Sequence, residues 1–251
     1  MNKTRRELLA GISLAGAGAL LVGCRRGSNQ SSSAGNQGEP TAGELGPPDV
    51  TATEDLMREH GVMRRALIVY REAATRLRQD PNSITPDVLE KTALLFRVFG
   101  EDYHEKKLEE EFILPLVKKF RSAADAYVDV LILQHARGRE ITDYVLSVTK
   151  GDRIPSNDTS TLVTALESFA RMYEYHSAIE DTIVFPAWKS SLGESELDEM
   201  GAKFEEIEME HFGDTEGFES AVARMQEIEA SMGLSDLATF TAPSPAAKRS
   251  A

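Results

Sequence analysis

The sequence predicts an all-α protein, an up-down-up-down four-helix bundle with additional C-terminal helices. Three observations lead there. Apolar residues return at three- and four-residue steps through four stretches of roughly 30 residues, the period of one helix face. Clusters of Pro, Gly, Asn and Asp separate those stretches. No segment alternates apolar and polar residues as a half-buried strand does, and no hairpin signal occurs.

The chain does not begin with a bundle helix. Lys3, Arg5 and Arg6 precede a short Gly- and Ala-rich apolar run from Leu8 to Gly23, the pattern of an export signal at residues 1–23. The run is shorter than the ~20 apolar residues needed to span a membrane. Thr4-Arg5-Arg6-Glu7-Leu8-Leu9 resembles a twin-arginine signal. Leu21-Val22-Gly23-Cys24 resembles a lipobox, in which the Cys becomes the lipidated N-terminus of the mature protein. Cys24 is the only cysteine of the chain, so the membrane contact expected is a lipid anchor alone. The anchor would sit on the outer face of the cytoplasmic membrane, or in the periplasm or outer membrane. Residues 24–50 are rich in Ser, Gly, Asn and Pro and read as a flexible linker.

The helical domain is expected over 51–240. Leu56, His60, Met63, Leu67, Tyr70, Ala74 and Leu77 form the stripe of the first helix, which Asp80-Pro81-Asn82 ends. A second helix runs from about Pro86 to Ser122 despite Pro115. The third, about Ala123 to Lys150, carries Val128, Leu131, His135, Gly138, Thr142 and Val145 on one face. The fourth, about Ser160 to Ser191, carries Leu162, Leu166, Phe169, Tyr173, His176, Glu180 and Ile183. After Gly193 a fifth helix holds Phe204, Ile207 and His211, and a shorter one ends near Met232. Residues 241–251 are not expected to fold.

Composition narrows the chemistry. Of 251 residues, 28 are Lys or Arg and 41 are Asp or Glu, a net charge of −13. Residues 1–26 hold five positive charges and one negative, so −17 belongs to the rest. Nucleic acid is excluded as a partner, because phosphate binding needs clustered cations. A single Cys excludes an intramolecular disulfide and any protein-held iron–sulfur or zinc–thiolate site. That leaves His, carboxylates and hydroxyls.

The five histidines fall on five different helices, and His60, His135 and His176 each replace an apolar residue within a stripe. Burying one unpartnered imidazole costs a few kcal/mol. Several at one height in a bundle are simplest to sustain around a metal. Carboxylates stand near them. Glu180 follows His176 by four residues, about 40° from alignment on one face. Glu109 follows His104 by five, and Glu110 and Glu111 come next. Glu109 and Glu180 each stand six residues before a proline, Pro115 and Pro186, which makes them counterparts. Glu111 reads as solvated.

The segments Glu54-Asp55-Leu56-Met57-Arg58-Glu59-His60-Gly61, Glu101-Asp102-Tyr103-His104-Glu105-Lys106, Gln134-His135 with Gly138-Arg139, and Met172-Tyr173-Glu174-Tyr175-His176 through Glu180 to Pro186 together resemble the hemerythrin-like (HHE cation-binding) domain proteins. The resemblance spans about Glu54 to Glu219. It implies a non-haem di-iron centre, two iron ions held by histidines from all four helices and two bridging carboxylates. Carried onto this sequence, those ligands are His60, His104, Glu109, His135, His176 and Glu180.

Two departures qualify it. The family places its second-helix carboxylate four residues after the histidine, where this chain has Leu108. A step of five rotates a side chain by about 140° in an α-helix, so Glu109 needs a π-bulge, and without one Glu110 or Glu105 would be the ligand. Oxygen-carrying hemerythrins also have a second histidine four after the first on helix three, where Arg139 stands here. His211, folding back over the bundle, is the expected substitute. Two six-coordinate irons then keep one open position, or two without His211, and two favour redox chemistry over reversible carriage.

The function this implies is binding of O2 or a related small ligand, such as nitric oxide or peroxide, for carriage, sensing or iron sequestration. The alternative is a di-iron oxidase or peroxidase. A ferritin-like scheme built on Glu101-x-x-His104 and Glu208-x-x-His211 is weaker, because it leaves His60, His135 and His176 without a task.

Overall fold

The computed structural model describes residues 50–213 and 217–244. The expected export signal, Cys24, nearly all of the linker, and residues 245–251 lie outside the described residues. Among the described residues every regular element is helical and no strand occurs. None of these helices is long and apolar enough to cross a membrane.

Helix α1 (Ala52–Gln79) starts where Thr51 Oγ1 accepts a bond from the Glu54 N–H, and stops at extended Asp80. Glu54 and Asp55 lie in its first turn and Arg76 and Arg78 in its last, each suited to the helix dipole. All seven residues of its predicted stripe are buried. Pro86, with its fixed φ, opens α2 (Pro86–Leu95). The rod then continues as π1, a π-helical stretch (Phe96–Ile113), and as α3 (Leu114–Phe120).

At the end of π1 the Leu114 N–H reaches the Glu109 carbonyl, five residues back. Pro115 follows with no N–H to donate, and a proline ring also clashes with the carbonyl four residues earlier. The wide turn before it avoids that clash. The fourth rod repeats the device: α5 (Thr159–Ile179) passes into π2 (Glu180–Val184) and then α6 (Phe185–Ser190), with the Phe185 N–H on the Glu180 carbonyl just before Pro186. Between these two rods runs α4 (Asp125–Val148), whose predicted stripe from Val128 to Val145 is buried in full.

The four rods suit a four-helix bundle. Helix α1 lies along α5, α4 lies against α2, π1 and α5, and π1 touches α1. Tyr70, Phe96, Phe169 and Tyr173 fill the centre, with ring centroids 4.6–5.4 Å apart, edge to face except for the tilted pair Phe169 and Tyr173. Each such side chain contributes about 1.5–3 kcal/mol on burial. Two further helices, α7 (Glu194–Phe212) and α8 (Phe218–Met232), close over α1, α2 and π1. Arg65 clasps Glu229 with two bonds of 2.8 and 2.6 Å, and Arg76 donates to the Met232 carbonyl. At Gly138 a Cβ would lie 1.9 Å from the Tyr173 hydroxyl. Only glycine admits Tyr173 there, and the tyrosine bears directly on the site.

Candidate metal centre

His60 comes from α1, His104 from π1, His135 from α4 and His176 from α5, and all four are buried. Each Nδ1–H donates to a side-chain acceptor: His60 to Asp181 (2.7 Å), His104 to Glu59 (2.7 Å), His135 to Glu110 (2.9 Å) and His176 to Gln134 Oε1 (2.9 Å). An ionised carboxylate can only accept, so these bonds put the proton on Nδ1 and turn a bare Nε2 inward. The Nε2 atoms meet in two pairs, His60 with His104 at 3.0 Å and His135 with His176 at 3.1 Å. At that distance two lone pairs repel unless a proton on one nitrogen, or a metal ion near both, stands between them.

The carboxylates lie between the pairs. Glu109 Oε1 is 3.1 Å from His104 Nε2 and Oε2 is 3.2 Å from His135 Nε2, so this carboxylate links the two halves. Glu180 Oε2 is 3.1 Å from His176 Nε2 and 3.5 Å from His60 Nε2. Both glutamates are fully buried, and none of their four oxygens has a hydrogen-bond partner. Leaving buried carboxylate oxygens bare costs several kcal/mol each without a cation. Glu109, His135, His176 and Glu180 form one group able to hold a metal ion, and His60, His104 and Glu109 another. The donor set of imidazole and carboxylate is that of non-haem iron and its neighbours.

The electrostatics agree. Burial opposes a charge on His104, yet Glu109 and Glu59 beside it hold its pKa well above the usual value. His135 is likewise raised against burial, by Glu105, Glu109 and Glu110. Burial resists ionisation of Glu109, but His104 and His135 keep it well below the ordinary carboxylate range. Glu180 moves the other way, pushed up by burial and by the Glu109 charge. His176 falls to about 4 through burial and the nearby His135. The buried negative charge at this cluster favours positive charge on its neighbours, and a metal ion bound there would compete with those protons.

A cavity of about 10 Å³, enough for one water-sized molecule, adjoins the cluster. Beside the candidate ligands it is lined by Met63, Arg64, Leu67, Glu105, Tyr173 and Ser177. Arg64 reaches Ser177 Oγ at 3.2 Å and also bonds Asp181. Tyr173 donates to Glu105 at 2.6 Å.

Six of the seven expected metal ligands therefore come together, and the seventh does not. His211 is exposed at the end of α7, its ring against Tyr103 and Phe212, because α7 closes over the outer side of π1. The need for a π-turn is met, and it brings Glu109 rather than Glu110 or Glu105 between the imidazole pairs. Glu110 supports His135 from outside, Glu105 takes the Tyr173 and Arg139 bonds, and Glu111 is exposed with Lys107. The ferritin-like scheme finds no support: Glu101 bonds Thr142 and Arg97, and Glu208 accepts from the Phe218 N–H.

Sequence reasoning missed the residues behind the imidazoles, Glu59, Asp181 and Gln134. Glu59 carried a usable signal, since it stands three residues after Leu56 and four before Met63, on the apolar face of α1. Glu101 and Glu105, four residues apart, are also buried in π1.

Residues 51–188 match the hemerythrin HHE cation binding domain. An uncharacterized protein of Mycobacterium tuberculosis and one of Mycobacterium bovis are each 39% identical over 240 residues, covering 94% of this chain and 90% of theirs. No solved structure matches the chain. The family match covers more than half of the chain and takes in all four imidazoles and both buried glutamates of the cluster, and the chain belongs to the hemerythrin HHE cation-binding domain family.

Proposed function

We propose that the protein holds two non-haem iron ions in this cluster and binds O2 or a related small ligand, such as nitric oxide or peroxide. One observation carries the reading: two imidazole pairs face two buried carboxylates whose oxygens have no other partner. Each half can hold one ion, and Glu109 can serve both. The chain's own residues then do three things. Asp181, Glu59, Glu110 and Gln134 fix the imidazole tautomers and aim Nε2 inward. Glu109 and Glu180, both fully buried, would offset part of the ions' charge. Met63 and Leu67, with Arg64 and Ser177, leave space for a ligand of a few atoms and exclude an organic substrate. An iron pair, when bound, supplies the electrons and the open coordination position that such a ligand needs.

Metal analysis of purified protein tests this, with about two irons per chain expected and loss on His176→Ala. A protein that purifies and reconstitutes without metal overturns it. A second reading, a di-iron oxidase or peroxidase, draws support from the exposure of His211. With that histidine outside, ligand counting leaves two open positions, which favours redox turnover. Mixing reduced protein with O2 separates the two: a spectrum reversed on lowering oxygen indicates carriage, and irreversible oxidation or peroxide consumption indicates an enzyme.

We also propose export in folded form and anchoring at Cys24, on the strength of Arg5-Arg6 and the lipobox-like Leu21-Val22-Gly23-Cys24. Replacing Arg5 and Arg6 by Lys should retain the protein inside the cell. Normal export of that variant would rule the route out.

A further inference from the structure

Behind their imidazoles the two halves of the centre are built from matching parts, with one exception; Glu109 and Glu180 stand between the halves, Glu180 Oε2 lying 3.1 Å from His176 Nε2 and 3.5 Å from His60 Nε2. In each half one imidazole is backed by a carboxylate that an arginine also holds: His60 by Asp181 with Arg64, and His135 by Glu110 with Arg139. The other imidazole differs. His104 is backed by the carboxylate of Glu59, whereas His176 is backed by the neutral amide of Gln134. Through space the halves balance. Asp181, Glu59 and Arg64 surround one half, and Glu110, Glu105 and Arg139 the other, so each gathers two carboxylates and one guanidinium. Glu105 bonds Tyr173 and Arg139 rather than an imidazole, so its charge does not reach a ligand through a ring. What remains unequal behind the imidazoles is the basicity of the ligand nitrogens.

A carboxylate behind an imidazole raises the basicity of its inward nitrogen, and an amide does so far less. A more basic ligand holds a metal ion more tightly and favours its higher oxidation state. Resting on the di-iron reading above, we propose that the two metal positions are inequivalent and that Gln134 is the positioning residue that makes them so. The ion held by His135 and His176 is the more weakly bound and the first reduced. In half-reduced protein the added electron resides there.

The test uses full-length, iron-loaded protein titrated with dithionite, which gives up one electron per step and is oxidised to sulfite. Two resolved one-electron steps are expected, with a mixed-valence electron paramagnetic resonance signal between them. Gln134→Glu should draw the steps together by lowering the higher potential. Glu59→Gln should draw them together from the other side, by raising the lower one. Redox-silent loading gives a second readout: cobalt(II) should bind in two steps at least about tenfold apart, and Gln134→Glu should strengthen the weaker about tenfold, within the range typical of partners behind a ligand. A single two-electron step in the unaltered protein, or potentials that neither variant moves, overturns the inference while leaving the di-iron reading intact. Absence of iron and cobalt binding by the unaltered protein overturns the reading itself.

Discussion

The second and fourth rods deliver the same chemistry by different windings. In the fourth, Glu180 follows His176 by four residues at the point where α5 gives way to the five-residue π2. In the second, Glu109 follows His104 by five, deep in the 18 residues of π1. Both carboxylates nonetheless lie between the imidazole pairs, and both carbonyls accept a bond from the residue just before a proline. The glutamate is thus placed by its distance to the proline, and the histidine is brought to it by how far the backbone is unwound. The longer unwinding has a second effect. It turns Glu101 and Glu105 inward together with Glu109, whereas the fourth rod buries Glu180 alone among its acids.

The largest test of that comparison is removal of each carboxylate. Glu109 addresses both imidazole pairs with separate oxygens, so Glu109→Ala should abolish binding of both ions, a loss beyond the ~100-fold cost of altering a partner behind a ligand. Glu180→Ala should weaken metal binding by less. Competition against a chelator measures both, and equal losses would break the distinction.

Next come the prolines. Pro115→Ala should stabilise the metal-free protein by about 1–3 kcal/mol in urea denaturation, since proline is the poorest residue within a helix. It should also cost metal affinity about tenfold, because π1 can then rewind and carry Glu109 out of line. Pro186→Ala should give a similar stabilisation with little loss of affinity, for Glu180 already stands at an α-helical interval from His176. A Pro115→Ala protein with unchanged affinity would show that the winding of π1 is set elsewhere.

A smaller effect distinguishes the additional acids of π1. Burial lifts Glu101 to about 7, with its hydrogen bond from Thr142 opposing. The folded protein therefore binds a proton there that the unfolded chain has released above the ordinary carboxylate pKa. Stability contributed by that proton is full at acid pH and falls as pH rises from about 4.5 to 7, by roughly 3 kcal/mol at most. Glu101→Gln should flatten this part of the profile in metal-free protein, measured by denaturation at pH 5 and pH 8. An unchanged difference between the two pH values would remove Glu101 from the account. The smallest effect belongs to the surface: Arg71, paired with Glu174 where α1 meets α5, should cost no more than about 1 kcal/mol on replacement by Ala.

The sequence discloses the rods because buried stripes and breakers are local. Each residue of the α4 stripe, from Val128 to Val145, is inside as its period requires. It discloses Glu109 because the interval to Pro115 matches that of Glu180 to Pro186, although the His-to-Glu interval does not. It hides what depends on rods meeting. Glu59 and Asp181 lie on one rod and serve an imidazole of another, and no spacing within a rod reports that. His211 shows the same limit: its identity suggests a ligand, and the path of α7, which leaves it at the surface, is written in no spacing.

Tyr103 gives the C-terminal helices a meaning beyond coverage. Its hydroxyl donates to Glu59, the residue behind His104, while the Phe212 ring of α7 rests edge-on against it at 5.0 Å and Phe99 beside it meets Phe218. The family match ends at residue 188, before either helix begins. Modularity in this chain is therefore not drawn where family resemblance stops. A fragment cut at 188 would retain the six clustered candidate ligands yet lose the wall against which Tyr103 is held, so the smallest transferable unit of this site includes α7 and α8.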